Sequence, residues 1–307
     1  MTFYSEMLRL LGYLVGFLVF VALNAAYLVW VERKVAGHIQ RRIGPKEVGP
    51  YGLLQPLADG FKLMTKQVFI PKDADGVLFF LGAVLVMTPA FMSFVTIPYT
   101  EGLVARNLNL GLLAIYAFAS VNVLGLLLGA WGSRNKYAVI SAARVVSQNV
   151  AYEIPMLLVV VSLVMVTGTL NLSETVATQS GGFWHWNVLR LSASPLMPVS
   201  FIIFFICMLA ETNRAPFDMA EAESELIAGA FTEYSGMGFG VYFMGEYANV
   251  VVGASLLTLL FLGGWDCPLG LWPGAHWFAI KLYAVIFTVI WVRWTFPRPT
   301  FYGLLNL

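Results

Sequence analysis

The sequence predicts an all-α integral membrane protein with seven transmembrane helices, on three observations. Hydrophobic residues fill 59% of the 307 positions and charged residues only 11%, with a mean hydropathy of +0.77. A soluble domain carries about 25% charged residues, so a chain this apolar needs lipid as its solvent. Leu10–Val31, Val77–Pro98 and Leu110–Trp131 are each 22 residues long without a charge, and about 20 span the hydrocarbon core. The basic residues, finally, alternate from one connection to the next as a multi-pass chain requires.

Taken in order, the spans are expected near 8–31, 77–99, 109–131, 144–169, 191–212, 236–264 and 276–296. The first run is too long for a cleavable signal, precedes a basic stretch and lacks a clear small-residue cleavage site, so it reads as a span. The connection after it, 32–76, holds eight of the 18 Lys and Arg residues. The third connection, 132–143, carries Arg134 and Lys136 with Arg144 just beyond, the fifth carries Arg214, and the C-terminal end has Arg293 and Arg298. The even connections contain only Arg106 and Arg190. This pattern puts the N-terminus outside, and Trp184, Trp186, Trp265, Trp272 and Trp277 fall on that outer side as an interfacial belt would. The whole chain, 1–307, reads as one polytopic membrane domain. A net charge of +1 gives no reason to expect nucleic acid, and membrane lipid is the surrounding partner.

The first cytoplasmic connection contains its own element. Leu53, Leu54, Leu57, Phe61, Leu63 and Met64 recur at helical spacing over Tyr51–Gln67, with Asp59, Lys62 and Lys66 mostly on the other side. That spacing predicts an amphipathic helix at the membrane interface or packed on the bundle. Glu32-Arg33-Lys34, Arg41 and Arg42 beside it read mainly as topology determinants, with a ligand contact from one arginine as the alternative.

Carboxylates inside spans cost about 2.5–3.5 kcal/mol each on insertion scales and so ask for a reason. Glu153 sits within the fourth span. A second acidic region, 211–235 and on to 246, holds Glu211, Asp218, Glu221, Glu223, Glu225, Glu233 and Glu246 against the single base Arg214. If helical, Asp218, Glu221 and Glu225 share a face. Clustered, buried carboxylates raise one another's pKa, so such a row can hold and pass protons, an acidic funnel leading in from the cytoplasmic side. A solvated acidic loop paired to a partner's lysines is the other reading. His38, His185 and His276 lie in loops or at span ends, which argues against paired haem ligands. There is no phosphate-binding glycine loop or metal-ligand cluster, and Cys207 and Cys267 read as two unpaired thiols. No metal or prosthetic group is therefore expected on this chain.

The stretches Glu32-Arg33-Lys34, RRIGPKEVGPYGLLQPLADGFKLMTKQ (41–67), SQNVAYEIP (147–155), AETNRAPFDMAEAESELIAGAFTEYSGMGFGVYFMGEYAN (210–249) and VRWTFPRP (292–299) resemble the H subunit of NADH–quinone oxidoreductase, the quinone-chamber membrane component of the respiratory complex I family. The resemblance runs from about residue 8 to 303. It implies that the first loop and 211–235 form the membrane-side end of a quinone tunnel, with Glu32, Arg33, Arg42, Asp59 and Phe243 lining it. It also implies that Glu153, Glu211, Asp218, Glu221, Glu223, Glu225, Glu233 and Glu246 form an acidic path to proton-translocating, antiporter-like partner subunits. Quinone is then the substrate, and iron–sulfur clusters and flavin belong to partners, including an iron–sulfur subunit of the peripheral arm. The implied location is a bacterial inner (plasma) membrane, with the mitochondrial inner membrane as the alternative. The family has an eighth helix beyond the Pro-Arg-Pro loop, and 300–307 reads as its lead-in. A related ferredoxin- or deazaflavin-dependent quinone reductase and a membrane-bound hydrogenase are alternatives. A stand-alone ion transporter is disfavoured, since no repeated halves with broken helices are seen.

Overall fold

In the computed structural model, which describes residues 3–190, 194–218, 228–270 and 272–297, the chain is a helical bundle. Its helices are α1 (Phe3–Ile39), α2 (Gln55–Thr65), α3 (Gly76–Thr96), α4 (Gly111–Gly132), α5 (Lys136–Thr167), α6 (Leu172–Ala177), α7 (Met197–Glu211), α8 (Gly236–Phe261) and α9 (Ala275–Thr295). Six of them, α1, α3, α4, α5, α8 and α9, are long and apolar enough to cross a membrane, and α7 is a shorter apolar helix of 15 residues. The long uncharged runs therefore became helices, as the length of the apolar stretches and the need to satisfy the backbone in lipid dictate.

Local chemistry sets where they start and stop. The Asp75 carboxylate accepts from the amides of Val77 and Leu78 and opens α3, using two of the amides that a helix start leaves unpaired. The side chains of Asn135 and Asn171 open α5 and α6 in the same way, and α5 ends at Gly168 in the left-handed conformation. Three ranges differ from the expected spans. α7 covers only Met197–Glu211 of the expected 191–212 and at 15 residues falls short of the about 20 that cross the hydrocarbon core. α1 continues to Ile39, so Glu32, Arg33 and Lys34 extend its helix instead of starting a loop. α5 begins at Lys136, about two turns before the expected 144, because the Asn135 cap lies ahead of the first wholly apolar stretch.

Packing makes α8 the centre. Its most apolar window is 78% buried, against 18% for α1. α3 and α4 form the closest pair: a Cβ on Gly125 would lie 2.7 Å from the Leu85 carbonyl carbon, and one on Gly132 would lie 2.7 Å from the Phe79 amide. Small residues let two backbones approach this closely, which is how membrane helices associate without a hydrophobic drive between them. At the opposite end from the basic loops, the expected tryptophan belt holds only in part. Trp184 and Trp272 are exposed, whereas Trp265 is buried in the main core and Trp186 lies over the Lys281 ammonium at 4.0 Å. A tryptophan next to a buried cation gains more from that contact than from the interface.

Candidate functional site

Residues of α8 spaced by four share one face of the helix, and three of them are aromatic. Phe239 stacks on Phe243 with ring centroids 5.8 Å apart, and Phe243 meets Tyr247 at 4.9 Å. α1 and α2 pack against α8, so this aromatic ladder lies beside the first connection. It ends at a buried charge cluster. The Tyr247 hydroxyl donates to Glu32 Oε2 at 2.6 Å, Arg293 Nη1 is ion-paired to Glu32 Oε1, and Arg214 Nη1 lies 3.9 Å from Oε2. The Arg214 guanidinium also sits 4.2 Å from the centre of the Tyr247 ring. Glu32, Arg214 and nearby Asp218 are all buried. One carboxylate is thus held by two guanidiniums and a phenol drawn from α1, α9, α8 and the turn after α7.

Arg33, next to Glu32, turns the other way and joins α1 to α2. Its Nη1 lies 3.0 Å from Asp59 Oδ2, and Gln55 Nε2 donates to Asp59 Oδ1 at 2.9 Å. Arg42 follows the turn after α1, donating to Gln40 Oε1 at 2.6 Å, and shares an open hollow with Arg33 and residues 43–47. The five residues expected around a quinone are therefore split between the ladder and its cluster (Phe243, Glu32), the α1–α2 bridge (Arg33, Asp59) and the hollow (Arg33, Arg42).

The acidic residues divide further. The Ser120 hydroxyl on α4 donates to Glu153 Oε1 at 2.7 Å. Glu153 and Glu211 are close enough to interact through their charges, as are both with the Tyr116 hydroxyl. Glu211 borders a cavity of about 30 Å³ that Tyr116, Asn122, Asn149 and Asn249 also line. Glu233 is elsewhere, accepting from Asn135 Nδ2 at 2.6 Å beside the α4–α5 turn. Glu246 lies partly buried on α8, one residue from Tyr247 and so on another face. Glu221, Glu223 and Glu225 lie outside the described residues, as do Arg298 and the segment 300–307. Below the ladder, burial pushes the Tyr234 phenol up to about 12, so it stays protonated and donates to the Phe79 carbonyl at 2.9 Å. Among the described residues, no three His, Cys, Asp or Glu side chains gather as metal ligands.

Several contributors had only a weak signal in the sequence. Arg214 stood out as the one base in an acidic stretch and Arg293 as a charge ending the last span, but nothing in spacing joins either to Glu32. Gln148 Nε2 donates to the carbonyls of Ala210 and Phe217 at 2.8 and 2.9 Å, pinning the turn that carries Arg214. Lys281 had a clear signal, a lone base inside the last apolar run, where an ionisable group asks for a partner. Its ammonium donates to the carbonyls of Leu262, Gly264 and Asp266 at 2.7, 3.0 and 2.7 Å.

The chain is similar to known proteins over nearly its whole length. The family model described as NADH dehydrogenase matches residues 13–307. The NADH-quinone oxidoreductase H subunit of Desulfotalea psychrophila is 63% identical over 293 residues, covering 94% of this chain and 88% of that protein. The protein of the same name from Carboxydothermus hydrogenoformans is 42% identical over 305 residues, covering 98% of this chain and 84% of its own length.

Proposed function

The chain belongs to the NADH dehydrogenase family, with the H subunits of NADH-quinone oxidoreductase, and from that premise we propose that it houses quinone in the membrane and couples its reduction to proton movement. The observation that carries the reading is the aromatic ladder Phe239–Phe243–Tyr247 running beside the α1–α2 bridge and ending on Glu32 between Arg214 and Arg293. Flat rings stack on a flat headgroup, and an apolar wall suits an isoprenoid tail. An apolar groove of about 470 Å³ between α1, α3 and α8, bordered by Leu18, Phe80, Met87 and Met237, offers an isoprenoid tail further apolar surface on another face of α8. Both relatives are named as quinone oxidoreductase subunits, which favours quinone over the non-quinone readings.

In this reading electrons arrive from a partner subunit's iron–sulfur cluster, and quinone becomes quinol by taking up electrons and an equal number of protons. This chain's residues hold the ring, keep bulk water off the tail and respond to charge. Negative charge developing on the quinone is attracted by Arg214 and Arg293, which loosens their hold on Glu32, and in low dielectric such a change reaches further than in water. Glu153 and Glu211 then adjust their protonation and hand the imbalance on to antiporter-like subunits. The setting is a bacterial inner membrane with the N-terminus outside.

A photoreactive quinone with an isoprenoid tail, applied to the intact complex, tests the reading. Label is expected on the Phe239–Tyr247 face or between Arg33 and Asp59. Phe243→Ala should raise the quinone KM several-fold while leaving NADH–ferricyanide reduction unchanged. Label confined to other subunits, together with a normal KM in that variant, would remove this chain from the quinone site.

A further inference from the structure

We infer that the cavity between α3, α4, α5, α7 and α8 is a built water site, held by Tyr116, Asn122 and Asn149, that gives Glu211 its proton-conducting contact. The inference rests on the acidic-path reading above and adds residues that reading does not contain.

Three oxygens carry the argument. Among the described residues, the Tyr116 hydroxyl, Asn122 Oδ1 and Asn149 Oδ1 are buried side-chain atoms without a hydrogen-bond partner, and all three side chains line the same space. Tyr116 is 4% exposed and Asn149 6%, so neither reaches outside water. A buried polar atom left unpaired costs about 1–3 kcal/mol, and three at one place in the hydrocarbon region would be an expensive accident. A water needs roughly 10–15 Å³ of room and two to four polar partners. The cavity offers about 30 Å³, enough for one or two molecules.

The partners are complementary to water in kind. Both asparagines present carbonyl oxygens, which only accept, so a bound water donates to them. The tyrosine hydroxyl can donate to the water or accept from it, and Glu211 at the rim can exchange a proton with it. The other end of the relay is also in place. Tyr116 and Ser120 lie on one face of α4, a turn apart, and Ser120 holds Glu153 at 2.7 Å. The Ser120 hydroxyl is spent on that bond, which leaves the cavity water as the mobile link on the Glu211 side. Asn122 and Asn149 are positioning residues here, since they hold the carrier and do not exchange protons themselves.

The test uses the whole complex in lipid nanodiscs. A map at a resolution that shows ordered solvent should contain one or two waters within hydrogen-bond distance of Asn122 Oδ1, Asn149 Oδ1 and the Tyr116 hydroxyl. Asn122→Leu with Asn149→Leu keeps the branching and heavy-atom count of each side chain, removes the acceptors and closes the room for water. This double variant should keep NADH–ferricyanide reduction and lose quinone-coupled proton pumping by roughly tenfold, the effect of about 1.4 kcal/mol on a barrier. Asn122→Gln with Asn149→Gln, which returns the carbonyls, should recover part of it. A dry cavity, or normal pumping in the leucine variant while Glu153→Gln and Glu211→Gln are impaired, would overturn the water site and leave the acidic path standing. Normal pumping in the Glu153→Gln and Glu211→Gln variants would instead remove the acidic path itself. A sodium ion at the site, with sodium-dependent activity, would replace water as the occupant and overturn the inference as stated.

Discussion

Glu32 shows how one buried charge organises several segments. Taking it out of water is costly, and the cost is offset only because Arg214, Arg293 and Tyr247 all aim at its two oxygens. Removing one partner of such a group typically costs about 3–5 kcal/mol, because the others are left charged and buried. Glu32→Gln is therefore expected to lower the amount of this chain in the purified complex, and Arg293→Met in the same chain should restore part of it. A double-mutant cycle on retention in the complex measures this coupling; strictly additive losses would mean the two do not interact. Lys281 is the same problem solved at the other end. Replacing it with Met leaves the carbonyls of Leu262, Gly264 and Asp266 unpaired, at about 1–3 kcal/mol for each that finds no water. The expected outcome is faster hydrogen exchange over 262–268 with little change across α3 and α4. In the sequence Glu32 was legible as a charge leaving a span, and its resemblance to a tunnel residue marked it further. Its partners, far along the chain, were not, because long-range pairing leaves no trace in local spacing.

At the level of elements, the apolar runs predicted helices well because length and lack of charge are all that a span requires. What they could not rank was burial. α8 carries glycines and four-spaced aromatics around its surface, so its central place depends on neighbours that periodicity does not record. α2 is the converse case: the amphipathic helix expected over Tyr51–Gln67 forms, over Gln55–Thr65, with Leu53 and Leu54 ahead of it. Leu57, Phe61 and Met64 follow one stripe and remain 43%, 68% and 66% exposed, while Leu63 turns inward beside Gly240 on α8. An exposed apolar stripe next to a charged bridge is what an interfacial helix presents to lipid headgroups and acyl chains. Phe61→Asp is expected to weaken the hold of α2 at the interface and to make the Gln55–Thr65 segment more readily cleaved by protease added from the cytoplasmic side. Cleavage no faster than in the parent complex would place α2 under protein instead of at the membrane.

The two ends of the whole molecule are chemically unlike, as the proposed orientation with the N-terminus outside requires. At one end lie the first connection, the Glu32 cluster, Asp218, Glu233 and most of the basic residues. At the other end the polar groups are closed on themselves: Gln179 Nε2 donates to the Leu259 carbonyl at 2.8 Å, Asn187 Nδ2 to the Leu260 carbonyl at 2.7 Å, and Lys281 to three more carbonyls. Charge drawn toward one side and hydrogen bonds closed at the other fit the proposed uptake of protons from a single face. The proposed acidic route was half legible: the carboxylates announced themselves by composition, whereas Tyr116, Asn122 and Asn149 are ordinary residues that only the fold brings to one cavity, and Ser120 gains its meaning only from its bond to Glu153. The sidedness itself is open to a direct check. Cys207 and Cys267 are both buried, so background labelling by an impermeant thiol reagent should be low. In inverted membrane vesicles Lys46→Cys should react and Trp272→Cys should not, and in right-side-out vesicles the two should exchange. The opposite pattern would reverse the orientation of the bundle, and with it the direction in which the acidic residues can draw protons.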